Sequence, residues 1–240
     1  MTAPAESRPA SGLPAAVLFD YSGTLFRLEE DDTWFVDLRV GDDERVDGHL
    51  QAELMRRMTT PVGAVVELDE DGKHAWENRD LDPAMHRAAY LAVLEASGVR
   101  RREHAESLYD RVTDPTSWTP YPDTGAVLKG LSELGIPVAI VSNIAFDVRP
   151  VFEKLDFDRY VTEYVLSYEV GAIKPNAEIF DVALTRVGVP GERALMVGDS
   201  DEADGGARAL GAAFALVEPL PTADRPVALL EAVRAHGIEL

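Results

Sequence analysis

Short apolar runs that stop at a polar or charged residue recur in two parts of the chain. The stretches 16–20 (AVLFD), 137–142 (PVAIVS), 163–167 (EYVLS), 194–198 (ALMVG) and 213–217 (AFALV) have the length of buried strands. Between them, apolar residues recur at helical spacing over 124–134, 176–187, 204–210 and 225–235. Pro175 ahead of the second of these patterns and Gly188 behind it are start and stop signals for a helix. Strand alternating with helix is the rhythm of a parallel sheet covered on both faces. The pattern predicts an α/β core built from 15–26 and 120–240.

Residues 27–119 lack that rhythm. They hold an acidic run (Glu29, Glu30, Asp31, Asp32), a helical pattern near 46–58, and a well-punctuated helix from Pro83 to about Ala96. Asp82 is placed to cap that helix, proline suits its first position, and Ser97-Gly98 ends it. The stretch 65–76 (VVELDEDGKHAW) reads as a hairpin around Asp71-Gly72 or as an irregular loop. The segment is expected to be a mostly helical insert that leaves the core after the first strand and returns near Tyr121. Residues 1–14 (MTAPAESRPASGLP) read as a loose leader without the apolar centre of a secretory signal.

Composition narrows the partners. A formal charge of −20 over 240 residues repels polyanions, which argues against nucleic acid and anionic membranes. A phosphate substrate would need local positive charge to enter such a field. The chain has no cysteine, which removes disulfides, thiolate catalysis and sulfur-ligated metals and is compatible with the cytoplasm expected for it. No apolar run approaches the roughly 18 residues of a membrane span.

The candidate chemistry sits at the strand ends. Asp20 ends the first strand, in DYSGT, and Ser142-Asn143 end the second, in IVSN. Lys174 follows the third across a loop, in GAIKP, and Asp199 ends the fourth, in GDSDEAD, with Asp204 five residues on. Parallel strands present their C-terminal ends along one rim, so residues distant in sequence converge there. Asp20 and Asp199 offer hard oxygen donors to Mg2+, with the main-chain carbonyl of Ser22 as a third ligand. Asp204 either holds a metal-bound water or orients Lys174. Ser142, the N–H of Asn143 and Lys174 suit the non-bridging oxygens of a phosphate. Asp20 then has the setting of a nucleophile that forms an aspartyl-phosphate.

The segments DYSGT, VSN, IKP and GDSDEAD, in this order, resemble the haloacid dehalogenase-like hydrolase superfamily across nearly all of residues 15–217. The resemblance implies a Rossmann-like three-layer α/β core with the first strand central and a parallel sheet. It also implies a helical cap at 27–119, Asp20 as nucleophile, a Mg2+ site on Asp20 and Asp199, and a small phosphorylated metabolite as substrate.

Position 22 departs from that pattern. Phosphatases of the superfamily carry aspartate there, which protonates the leaving oxygen and then takes a proton from the attacking water. A serine hydroxyl has too high a pKa for either task, a loss of roughly 10²–10⁴-fold in rate. Three readings stay open: a slow phosphatase suited to acyl phosphates, a phosphatase in which another acid such as one of Glu29–Asp32 takes over, and a non-catalytic relative that binds a phosphorylated ligand or a protein partner. A C–P hydrolase would need a cap lysine, and Lys73 is the only one there. A C–halogen hydrolase is at odds with the retained Gly198-Asp199 and Asp204. Substrate recognition is expected in the cap, where Trp34, Arg56, Arg57, Trp76, Arg79, His86 and Tyr90 stand out. His86, beside Ala88 and Ala89, reads as an exposed residue.

Overall fold

The computed structural model describes residues 12–29, 39–40, 44–45, 54 and 66–240. Most of the expected leader, the helical pattern near 46–58 apart from Leu54, the acids Glu30, Asp31 and Asp32, and Trp34, Arg56 and Arg57 lie outside the described residues. The described strands are β1 (Ala16–Phe19), β2 (Phe26–Leu28), β3 (Arg39–Val40), β4 (Glu44–Arg45), β5 (Trp118–Pro120), β6 (Val138–Ser142), β7 (Glu163–Leu166), β8 (Ala194–Gly198) and β9 (Ala213–Leu216). The described α-helices are α1 (Glu70–Asn78), α2 (Pro83–Ala96), α3 (Arg102–Thr113), α4 (Thr124–Glu133), α5 (Arg149–Lys154), α6 (Ser167–Val170), α7 (Ala177–Val187) and α8 (Ala228–Ala235).

Five strands form a parallel sheet in the order β7-β6-β1-β8-β9, which puts β1 at its centre. Alternation along each strand decides which layer a side chain joins. Val17 and Phe19 pack with Ile140, Val197 and residues of α4 and α8, while Leu18 packs on the other face with Val141, Met196 and the α7 residues Ile179 and Phe180. Both faces are therefore covered, and the result is a three-layer Rossmann-like α/β core. Each wholly buried residue of this kind contributes about 1.5–3 kcal/mol. Two of the expected helices change character at their starts. Residues 204–210 wind as a 3-10 helix, Asp204–Leu210, and the last helix begins at Ala228, where Asp123 Oδ2 accepts from the N–H groups of Leu229 and Leu230.

β2 and β5 form a short antiparallel pair, with Leu28 opposite Trp118, where the chain leaves the core and returns to it. The helix from Pro83 to Ala96 has the expected punctuation: Asp82 Oδ1 accepts from Ala84 N and Met85 N, and Gly98 follows it at φ +94°. The stretch around Asp71-Gly72 is neither hairpin nor irregular loop. It is the first turn of α1, because Asp69 caps Gly72 N at 2.8 Å and Glu70 and Asp71 complement the positive end of the helix dipole. Trp76 of α1 packs with Ala89 and Val93 of α2 in a small core of their own.

Candidate active site

Each rim residue owes its place to the strand beneath it. β1 ends at Phe19, and Asp20 stands at the C-terminal end of the central strand, its N–H bonded to Val197 O. The chain then turns sharply, with Phe26 N–H donating to Tyr21 O and Gly23 N–H to Phe26 O. Gly23 has φ +76°, and a Cβ there would lie 2.3 Å from Asp199 Oδ2. A Cβ on Gly198 would lie 2.1 Å from Asp204 Oδ2. Both glycines let the main chain run against a carboxylate where a side chain would displace it.

At the centre, Lys174 Nζ lies 2.6 Å from Asp20 Oδ1 and 2.6 Å from Asp204 Oδ1, and all three residues are buried. Thr24 Oγ1 donates to Asp20 Oδ2 at 3.3 Å, and Ser200 N–H donates to Asp204 Oδ2 at 3.0 Å. Carboxylate oxygens of Asp20, Asp199 and Asp204 lie within 4.8 Å of one another. Burial pushes the Asp20 carboxyl up, against the pull of Lys174 and with a further push from Asp204. Burial also raises Asp199, reinforced by the charges of Asp20 and Asp204. Lys174 would be lowered by burial, but its two carboxylate partners outweigh that and hold it above its usual range. Three carboxylates thus share one ammonium. That deficit of positive charge, in an all-oxygen donor set, fits a hard divalent cation.

The other predicted residues arrive on the same rim. Ser142 is the buried last residue of β6. Asn143 uses its side chain on the lysine loop: its Nδ2 donates to Lys174 O at 2.9 Å, and Lys174 N–H donates to its Oδ1 at 2.7 Å. Asp20, Ser22, Ser142, Asn143, Lys174, Asp199 and Asp204 all line one cavity of about 280 Å3.

The opposite wall of that cavity was only partly marked in the sequence, through Arg79, His86 and Tyr90. It includes Arg79 and Asp80 from the link between α1 and α2, His86 and Tyr90 from α2, Trp118, and Phe146. His86 is 2% exposed, a correction to its reading as a surface residue. Tyr109 of α3 comes within 3.0 Å of its Nδ1, Tyr90 stacks on its ring at 4.4 Å between centroids, and Phe146 meets it edge-on. Burial, with the nearby Arg79 charge, lowers the His86 pKa to about 4, so the ring is neutral near neutrality. Arg225 was also missed. It is buried, lies 3.1 Å from the Tyr121 ring centroid, and donates to the carbonyls of Gly23 and Thr24, which fixes the turn after Asp20.

Two residues weighed for alternative readings lie elsewhere. Lys73 is half-exposed and pairs with Glu70 at 3.1 Å, outside the cavity lining. Glu29 is tied to Thr222 through bonds from its N–H and Oγ1 at 2.8 and 2.9 Å, and it does not line the cavity either.

Comparison with known proteins agrees with the architecture. The family model for haloacid dehalogenase-like hydrolase matches residues 14–211. The chain belongs to that family. A ribulose-1,5-bisphosphate 5-phosphatase of Halopiger xanaduensis is 34% identical over 105 residues, 43% of this chain and 44% of the relative. A glyceraldehyde 3-phosphate phosphatase of Methanopyrus kandleri is 37% identical over 86 residues, 35% of this chain and 37% of the relative. The chain thus aligns with less than half the length of either. Among solved structures, an L-2-haloacid dehalogenase from Xanthobacter autotrophicus superposes with a TM-score of 0.61 at 18% identity, over 91% of this chain and 83% of that one. That likeness concerns the fold.

Among the described residues, no helix is long and apolar enough to cross a membrane.

Proposed function

We propose that the protein is a Mg2+-dependent cytoplasmic phosphatase that hydrolyses a small phosphorylated metabolite through an aspartyl-phosphate on Asp20, with residues 27–119 as its cap. One observation carries the reading: Asp20, at the end of the central strand, shares Lys174 with Asp204 and stands within 4.8 Å of Asp199 as well. The two phosphatases to which the chain is similar support the substrate class. Asp20, Asp199 and the Ser22 carbonyl would hold the ion, which when bound offsets the repulsion between a carboxylate and a phosphate dianion.

The chain's own residues do the rest. Lys174 at Oδ1 and the weaker Thr24 bond at Oδ2 orient the Asp20 carboxylate for attack on phosphorus. Ser142, the N–H of Asn143 and the Lys174 ammonium receive the non-bridging oxygens as charge shifts between them. Asp204 keeps Lys174 charged and aimed. The inserted helices wall off the leaving group and exclude water. C–P cleavage has no support, since Lys73 pairs with Glu70 away from the cavity.

Rapid-quench measurement with an activated aryl phosphate and Mg2+ tests this reading, with Asp20→Asn as the blank. The expected result is a burst of leaving group near one per enzyme, absent from the variant. Release by Asp20→Asn equal to that of the native enzyme would overturn it.

A further inference from the structure

Phosphoryl transfer to Asp20 leaves a proton unaccounted for. Ser22 is exposed on the cavity rim and carries only a hydroxyl. The carboxylates deeper in the site are committed: Asp204 to Lys174 and Ser200, Asp20 to Lys174 and Thr24, Asp199 to the acidic cluster. Among the described carboxylates that line the cavity, this leaves Glu202 on the core side and Glu77 and Asp80 on the opposite wall.

That wall holds Asp80. Its position is set by the main chain: Ser167, at the start of α6, donates its hydroxyl to Asp80 O. The same hydroxyl oxygen accepts from Ile144 N–H at 2.9 Å, just beyond the Ser142-Asn143 pair. One side chain thus joins the loop that would hold phosphate to the loop that carries Asp80. Asp80 lines the cavity with Asp20, Ser22 and Lys174, and its side chain is only 21% exposed. We propose that Asp80, delivered by the inserted helices, is the general acid and base that Ser22 cannot be, and that it extends the substrate range from acyl phosphates to phosphate esters of ordinary alcohols. The inference rests on the phosphatase reading given above.

Its surroundings suit the task. Arg79 lies beside it, with Nη2 3.5 Å from Asp80 Oδ2, and Lys174, Tyr90, His86, Glu77 and Glu202 face the same cavity. Burial raises the Asp80 carboxyl above its usual range, opposed by Arg79 and Lys174. A bound phosphate dianion on Lys174 would weaken that opposition and favour the protonated acid.

The steps balance. Asp20 attacks phosphorus, the bond to the leaving oxygen breaks with its electron pair on that oxygen, and the Asp80 proton passes to it, giving the alcohol and an Asp80 carboxylate. That carboxylate then takes a proton from water as the water oxygen attacks the aspartyl-phosphate. The bond to Asp20 breaks, releasing hydrogen phosphate and restoring both side chains.

The test is single-turnover transfer by the full chain with Mg2+, comparing an alkyl phosphate with acetyl phosphate, whose leaving group departs without a proton. For Asp80→Asn, transfer from the alkyl phosphate is expected to fall about 10²–10³-fold and transfer from acetyl phosphate less than about tenfold. Hydrolysis of the phospho-enzyme slows for both. Equal losses with the two substrates, or no loss with either, would overturn the role of Asp80 while an Asp20-dependent burst still upheld the phosphatase. The same leaving-group signature in Glu77→Gln or Glu202→Gln, and not in Asp80→Asn, would also overturn it. Absence of transfer by the native enzyme from both substrates would overturn both readings.

Discussion

His86 offers a quantitative check on the cavity wall. The unfolded chain presents an ordinary imidazole of pKa 6.5, whereas the folded ring, buried under Tyr90, Tyr109 and Phe146, titrates at about 4. Between those values the unfolded state binds the proton and the folded state does not, so this group makes stability fall as pH falls through that window. The linkage gives a loss of about 2 kcal/mol between about pH 7.5 and about pH 5. Asp20 and Asp199 act in the opposite direction, because burial raises their carboxyls and the fold gains protons there as pH falls. The native curve alone therefore does not isolate the histidine. Urea unfolding of the native protein and His86→Gln at both pH values does, through the difference of differences. The native protein should lose about 2 kcal/mol more than the variant on acidification. Parallel losses, within about 0.5 kcal/mol, would refute a buried neutral ring.

Lys174→Met should cost about 3–5 kcal/mol, since it leaves Asp20 and Asp204 buried without their cation. Urea unfolding should show a larger cost at about pH 8 than at about pH 5.5, where protonation of Asp20, whose carboxyl burial raises, relieves the uncompensated charge; a cost independent of pH would contradict the charge accounting. Gly198→Ala should push Asp204 off Lys174, lowering stability by about 1–3 kcal/mol and activity with it, because its Cβ has no room beside Asp204 Oδ2. A melt and an assay like those of the native protein would count against the close approach. Mg2+ at a hundredfold excess over its Kd should stabilise the protein by about 2.7 kcal/mol in thermal melts, and Asp199→Asn should abolish the effect. An undiminished shift in that variant would place the ion elsewhere.

The rim was legible in the sequence because strand and chemistry adjoin. A buried strand is written as an apolar run, and the residue that ends it is fixed at the sheet edge, so Asp20, Ser142 and Asp199 could be placed together without a structure. Lys174 needed only a loop to reach them. The opposite wall had no such marker. α1 starts in an acidic run containing a glycine, and its cap, Asp69, looks like one more turn residue. His86 is buried by Tyr109, 23 positions away, and by Phe146 from the core, which local spacing cannot reveal. Asp80 sits between two helices in a polar stretch, and only the Ser167 bond to its carbonyl shows which loop it lies against. Arg225 lies 202 residues from the glycine whose carbonyl it holds.

The paired bonds between the Asn143 side chain and the Lys174 main chain imitate one rung of a β-ladder, with an amide standing in for a peptide. They hold the lysine loop as though the sheet ran one residue further. The rung has a polarity: an aspartate at 143 would set an anion against the Lys174 carbonyl, and a leucine would leave both peptide groups bare. Lys174 therefore reaches the rim with its backbone already ordered by folding. A ligand that binds its ammonium has less loop entropy to overcome, and the gain recurs at every binding event.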